Sequence, residues 1–485
     1  MEQQVPLPER SSSKSVFDLE TDALTHCAKY LSVSDLSSFA RTCKFFKSIA
    51  YSDTVWRHLF RKQWPELESS IVSSRASGDA RAAYLDRHLA VQQFTFQENV
   101  FENQWSFSDS GAAWCILLDK NNVFLTMDSM VVKINYCSDG SHSVIYMRDH
   151  NASITCMRLF SAGKTSLFRN EAGLKDNFLV TSSLDHCIRL WWKGNCYHYF
   201  RHNGPVTAIS DKLLGEDSSS SGNLIASGER DGTVSLWSLT SNIKQGQRAL
   251  RTTFRGHKRE IESLSVSGYN TSLLVSFSSD AEIKVWDTAA SSSAYSSSCV
   301  GKFSFRNSLP LGVKCFESLC YVAAGTSITA IDLRTMQKAF CALACQPLYS
   351  FEVLPAKSLV CTGGYDKAML WDVRRSGAKP EPVFEMEEHS GPVSSLHMDS
   401  YKIVTGSLKD SYCNVWDTSS GTFVNSLPVA IPHEPVVLSG CSAMAVSGSR
   451  IVTATCIDEC AQVYLRDFNN ATCSKPSNAG SQCTS

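Results

Sequence analysis

From about residue 112 to residue 468, apolar and polar positions alternate with the two-residue period of strands, in short runs cut by turn pairs such as Asp-Gly and Ser-Asp. Segments 178–192 (FLVTSSLDHCIRLWW), 224–238 (LIASGERDGTVSLWS), 273–287 (LLVSFSSDAEIKVWD), 359–373 (LVCTGGYDKAMLWDV) and 402–417 (KIVTGSLKDSYCNVWD) each read as strand, tight turn, strand. Weaker copies at 123–136, 320–333 and 450–468 bring the number of such cores to eight. About the first sixty residues carry no such alternation. Apolar residues recur there at helical spacing, as Leu24, Cys27, Ala28 and Leu31 and then Leu36, Phe39, Ala40, Cys43 and Phe46. Ser34 and Asp53 fit as helix N-caps. A few short helices cannot bury a large core, so several of these apolar side chains stay available to a partner.

The spacing of the strand pairs is regular. A tryptophan or its counterpart falls at 191, 237, 286, 331, 371, 416 and 464, at intervals of 40 to 49 residues. That is close to the period of about 40–45 residues of a four-stranded propeller blade. Eight blades are expected; seven stays open because the first, fifth and eighth copies lack the tryptophan. Residues 469–485 are too polar to add a strand, so the missing outer strand of the last blade is assigned to 93–108, which closes the ring and removes its exposed edge.

Four cores share a set of polar residues: His150, Thr181, Asp185 and Trp191; His202, Ser227, Asp231 and Trp237; His257, Ser276, Asp280 and Trp286; and His389, Asp410 and Trp416, with Thr405 or Ser407 at offset positions. The step from Asp to Trp is six in every set, while the step from His to Asp varies from 21 to 35. A fixed short step beside a variable long one is the product of a hairpin and a loop. A buried chain of indole N–H, hydroxyl, imidazole and carboxylate leaves no polar group unpaired, with charge-assisted links of about 1.5–3 kcal/mol each. It would pin the outer strand of each sheet to the loop that leads into it. A Ser-His-Asp hydrolase is the rival reading, but such a triad is needed once, and no strained G-x-S-x-G turn occurs.

These segments, with FRGHKREI at 254–261, resemble WD40 repeats, which implies an all-β WD40 propeller. The N-terminal stretch resembles an F-box: LETDALTHCAKYL (19–31), SDLSSFARTCKFFKSIA (34–50) and SDTVWRHLF (52–60) follow that family's pattern, with Glu20 in place of its usual proline. The expected organisation is therefore a disordered start (1–15), the F-box (16–60), a helical connector (61–92), the propeller (93–469) and a disordered tail (470–485). The loops at 161–177, 216–222 and 288–298 are expected to be irregular. The combination resembles the substrate receptor of a Skp–cullin–F-box ubiquitin ligase. Adaptor contacts would then come from Leu19, Leu24, Leu31, Leu36, Val55, Trp56 and Leu59, and the propeller would hold the protein target. Such a receptor is not itself an enzyme and brings no cofactor. The alternatives are a WD40 scaffold with no ligase role, or docking to the damaged-DNA-binding adaptor through the W-D-x-R segment Trp371–Arg374.

Composition narrows the partners. The net charge of −1 and 19% charged residues give no support for bulk nucleic-acid binding. No apolar run is long enough to cross a membrane. Nineteen cysteines without a C-x-x-C pair point to core thiols in a reducing compartment, cytoplasmic and/or nuclear, and to no metal. On the propeller face that carries the histidines, Arg148, Arg201, Arg230, Arg255, Lys258, Arg259 and, apart from them, Lys409 form a basic group, whereas Glu385, Glu387 and Glu388 precede His389. The expected target is an acidic or phosphorylated segment, because arginine forks onto carboxylate and phosphate.

Overall fold

A computed structural model describes residues 19–63, scattered positions between 80 and 94, and most of 100–469. The expected polar tails, most of the helical connector and most of the expected irregular loops lie outside the described residues. The chain divides into two compact units, Met1–Gln92 and Gln93–Ser485.

The helices named among the described residues of the first unit are α1 (Thr21–Ala28), α2 (Val33–Thr42), α3 (Lys44–Ala50) and α4 (Asp53–Gln63). The cap of α2 is Ser32, two residues before the serine expected, and its hydroxyl oxygen accepts from the Asp35 amide at 3.1 Å. Asp53 lies inside the first turn of α4 rather than capping it. Its carboxylate instead pairs with Arg57 at 2.6 Å and accepts from the Ala80 amide at 3.0 Å. The apolar stripes face inward, burying Leu24, Leu36, Ile49, Val55, Trp56 and Leu59. The Trp56 indole donates to the Ala50 carbonyl at 2.8 Å and meets the Tyr84 ring edge-on, so its polar end is satisfied in the core.

The second unit is eight four-stranded antiparallel sheets. Seven are built from consecutive strands: blade 1 (115–147), blade 2 (154–201), blade 3 (206–254), blade 4 (261–304), blade 5 (310–343), blade 6 (350–387) and blade 7 (393–428). Blade 8 takes three strands from 443–467 and its outermost strand from Phe101–Phe107, which pairs with Cys460–Asp467. Ring closure by the segment ahead of the first blade is therefore the observed arrangement. The Val, Ile, Leu and Phe side chains of the two middle strands of each sheet are almost all buried, and the core clusters mostly combine residues from neighbouring sheets.

Register corrects one expected equivalence. Ile403 pairs with Trp416 in blade 7, and the corresponding Ile451 of blade 8 pairs with Arg466, so Arg466 takes the tryptophan's place and not Tyr464. Arg466 is buried. Its Nε meets Glu102 of the closing strand at 3.2 Å, its Nη2 donates to the Pro428 carbonyl at 2.6 Å, and its guanidinium lies over the Tyr464 ring. The blade closed by a distant segment thus carries a cross-strand ion pair where its neighbour carries an indole.

Candidate functional site

The four histidine sets lie at one end of the ring, where each sheet's innermost strand begins and its second strand turns into its third. The tryptophans stand on the third strand, one strand in from the edge expected for them. Blade 2 closes the full chain. Trp191 Nε1 donates to Thr181 Oγ1 at 2.8 Å, His150 Nε2 meets the same hydroxyl at 2.8 Å, and His150 Nδ1 lies 2.8 Å from Asp185. The Asp185 carboxylate also accepts from the Asn151 amide at 3.1 Å. Burial works to raise the Asp185 carboxyl, but the His150 and Asn151 hydrogen bonds outweigh it and hold it below the usual range. An ionised Asp185 fixes the proton on Nδ1, so Nε2 accepts from Thr181. Blade 7 repeats the chain with Thr405, one of the two expected hydroxyls: Trp416 to Thr405 2.9 Å, His389 to Thr405 2.7 Å, His389 to Asp410 2.7 Å.

Blades 3 and 4 complete only half of it. Trp237 and His202 both reach Ser227, at 2.9 and 2.8 Å, and Trp286 and His257 both reach Ser276, at 2.8 and 2.6 Å. Neither Asp231 nor Asp280 bonds its histidine. Each is exposed and accepts a backbone amide of its own turn, from Thr233 and from Glu282. Nδ1 of His202 and of His257 is buried without a hydrogen bond, and burial is the main force pushing both imidazoles down to about 4. In blade 3 the buried Glu229 ties the incoming loop instead, accepting from the Gly204 amide at 3.2 Å and the Ser235 hydroxyl at 3.1 Å. In blade 4 the nearest carboxylate to His257 Nδ1 is Glu282 at 3.9 Å, itself engaged by Lys284 and Lys302. Sequence reasoning missed both glutamates. Their signal was an acidic residue two positions before or after the turn aspartate.

This chemistry is architectural. Thr181, Ser227, Ser276 and Thr405 are fully buried and already committed to an indole and an imidazole, so no substrate carbonyl can reach them.

The basic group is at the same end of the ring. Arg148 is exposed over the Tyr146 ring, and Arg201 ends the outer strand of blade 2. Arg255, Lys258 and Arg259 are exposed on the loop into blade 4. The turn of blade 3 packs under that loop: a Cβ on Gly232, whose φ is +85°, would lie 2.7 Å from the His257 carbonyl and 2.8 Å from that of Arg259. Arg230, on the same turn, lies 3.6 Å from Glu260. Arg201, Arg255, Lys258 and Arg259 make no ion pair among the described residues. Asp231 and Asp280 sit exposed among these cations, so the sector is basic but not uniformly so. Lys409 stands apart, donating to the Tyr365 hydroxyl across blades 6 and 7 at 3.1 Å. Glu385 and Glu387 are both spent on Lys367.

Of the residues expected to meet an adaptor, Leu24, Leu36, Val55, Trp56 and Leu59 form the core of the helical unit, Leu31 is half-buried and Leu19 is half-exposed. Among the described residues of that unit, the exposed large apolar side chains are Leu19, Tyr30, Phe45 and Tyr51. In the W-D-x-R segment, Arg374 forks back onto Asp372 at 2.9 and 2.8 Å.

Comparison with known proteins agrees with this anatomy. Residues 21–62 match the F-box-like family, and residues 141–191, 194–238, 248–287 and 380–417 match the WD domain, G-beta repeat. This is an F-box/WD40-repeat chain. Its F-box covers α1 to α4, and its four matched repeats are those that carry the histidine sets. The chain is also 26% identical over 300 residues to the ribosome biogenesis protein WDR12 homolog of Arabidopsis thaliana, an alignment covering 55% of this chain and 67% of that one.

Proposed function

We propose that this F-box/WD40 chain is the substrate-recognition subunit of a Skp–cullin–F-box ubiquitin ligase, active in the cytoplasm and/or nucleus. The observation that carries the reading is the presence of an F-box-like helical unit and an eight-bladed ring in one chain. The helical unit would dock a Skp-type adaptor, and through it a cullin, by its exposed Leu19 and Tyr30 and half-buried Leu31, with Leu24, Leu36, Val55, Trp56 and Leu59 holding that surface in shape. The propeller would hold a protein target over its basic sector, where Arg201, Arg255 and Arg259 are free to fork onto carboxylate or phosphate and Lys258 adds a point charge. Its contribution to ubiquitin transfer is proximity: it raises the effective concentration of target lysines at a catalytic subunit elsewhere in the assembly.

A second reading is a WD40 platform in an assembly without ligase activity, favoured by the similarity to a ribosome biogenesis protein. Docking through the W-D-x-R segment is disfavoured, because the Arg374 guanidinium is satisfied within its own turn. Pull-down of the full chain with a Skp-type adaptor, with and without residues 16–60, separates the readings. Capture that depends on those residues supports the receptor, and no capture by the full chain sinks it. Leu19→Asp and Tyr30→Ala should reduce capture at unchanged helicity, whereas Leu24→Asp and Trp56→Ala should lose capture and helicity together.

A further inference from the structure

Blade 5 breaks the pattern of its neighbours. Its turn is Gly325–Thr326, with no aspartate, and no histidine or tryptophan stands at the corresponding positions. It carries instead the two most exposed large apolar side chains among the described residues, Leu309 at 83% and Leu343 at 70%. Leu309 lies at the start of the innermost strand and Leu343 at the end of the outermost, so both stand at the ring end that carries the histidines. Tyr349 and Tyr365 of blade 6 and Leu408 of blade 7 stand at the same end, all three exposed, with Lys409 over the Tyr365 ring.

These side chains project from a hydrogen-bonded frame. The Gly325 amide donates to the Leu309 carbonyl, the Leu348 amide to Gly325, the Tyr349 amide to Gly363 and the Val393 amide to Gly364, each at 2.8 to 2.9 Å. The Tyr365 amide donates to Gln346 Oε1 at 3.2 Å. The surface is therefore ordered before anything binds it, which lowers the entropic cost of binding. Next to it in the ring is the loop into blade 4 with its unpaired Arg255, Lys258 and Arg259. An exposed apolar surface of this kind marks an interaction site, and the charge beside it defines its partner.

We propose that the target is a two-part segment, bulky aliphatic or aromatic residues seated on Leu309, Leu343, Tyr349 and Tyr365, and an acidic stretch running onto the cations of the blade 4 loop. This deepens the receptor reading by giving the target a second, uncharged determinant, and it stands on the propeller alone. Salt and charge reversal act on the acidic part, and truncation of the leucines acts on the apolar part.

The test uses the full chain and a peptide array. Each peptide joins four glutamates to a Leu-Leu pair through two to eight Gly/Ser residues, with parallel sets in which Leu-Leu is Ser-Ser or the glutamates are glutamines. Binding should require both parts at one range of spacer lengths. Leu309→Ser with Leu343→Ser should weaken the best peptide tenfold or more while its salt dependence persists, since each anchor lost removes a side chain's worth of apolar burial. Arg255→Ser with Arg259→Ser should weaken it and flatten the salt dependence. Both pairs are exposed, so the melting temperature should hold. Equal binding of Ser-Ser peptides, capture of no peptide, or wild-type affinity in the leucine variant would overturn the proposal. So would self-association of the wild type that the leucine variant abolishes, because the surface would then belong to a second copy. Adaptor capture is measured in parallel and should be unchanged in both variants, so failure here is distinct from failure of the receptor reading.

Discussion

Blades 2 and 3 begin from one pattern and end in two networks. Both place a histidine before the innermost strand, a hydroxyl on the second strand, an aspartate at the turn and a tryptophan on the third. In blade 2 the imidazole spans from Thr181 to Asp185, with both ring nitrogens bonded. In blade 3 the bonds stop at the imidazole, and Asp231 faces solvent while Glu229 takes the amide of the incoming loop. Blade 7 follows blade 2, and blade 4 follows blade 3. Spacing along the chain brings the residues to the same neighbourhood. Competition among nearby carboxylates then decides which one is used. The open blades are also those that carry most of the free cations, so their turn aspartates sit exposed in the basic sector.

The sharpest way to break the comparison is to remove the acid from each blade in turn. Asp185→Ala and Asp410→Ala each leave a buried imidazole N–H and a loop amide without an acceptor. Each should cost about 1.5–3 kcal/mol in chemical denaturation, the range for a hydrogen bond to a charged group. If both melt like the wild type, the closed networks are not holding their blades.

Glu229→Ala should come next, at about 1–2 kcal/mol. It strands the Gly204 amide and the Ser235 hydroxyl, although burial raises the Glu229 carboxyl and so offsets part of what the wild type gains. A larger loss from Asp231→Ala than from Glu229→Ala would reverse the assignment.

Acid should act on the open blades. His202 and His257 fall from 6.5 in the unfolded chain to about 4 in the fold. Between those values the unfolded chain binds more protons. Their contribution is therefore complete above pH 6.5 and drains away as the pH falls towards 4, by about 1–3 kcal/mol for the pair. His202→Gln with His257→Gln should flatten the fall in stability over that window. An unchanged pH profile would mean that these imidazoles titrate normally.

The fold was legible because blade periodicity is a repeated signal: eight copies of strand, turn and strand outvote the weakness of any one. Ring closure was legible from composition, since one end of the repeat region was too polar to supply a strand and the other was not. The partner of each histidine was not, because Asp185 and Asp231 look alike in sequence and differ only in which acid lies nearby in three dimensions. Arg466 was missed for a related reason, as its place is set by pairing with Ile451 and its charge is answered by Glu102, 364 residues earlier in the sequence. The apolar surface of blade 5 was hidden by the opposite effect. A blade without its polar set reads as a weak copy, and only exposure shows what replaced it.

The smallest effect belongs to Asp280→Ala. The sequence pattern makes this residue the acceptor for His257, which would set the cost of its loss at the level of Asp185. In the structure the carboxylate is exposed and holds only the Glu282 amide of its own turn, while His257 Nδ1 has no hydrogen bond to lose. Removal should therefore cost within about 0.5 kcal/mol, as for a surface substitution away from any network. Paired with Asp185→Ala, it measures how far equal spacing implies equal function. A loss comparable to that of Asp185→Ala would show that Asp280 does reach His257 in solution, and the distinction between open and closed blades would fall with it.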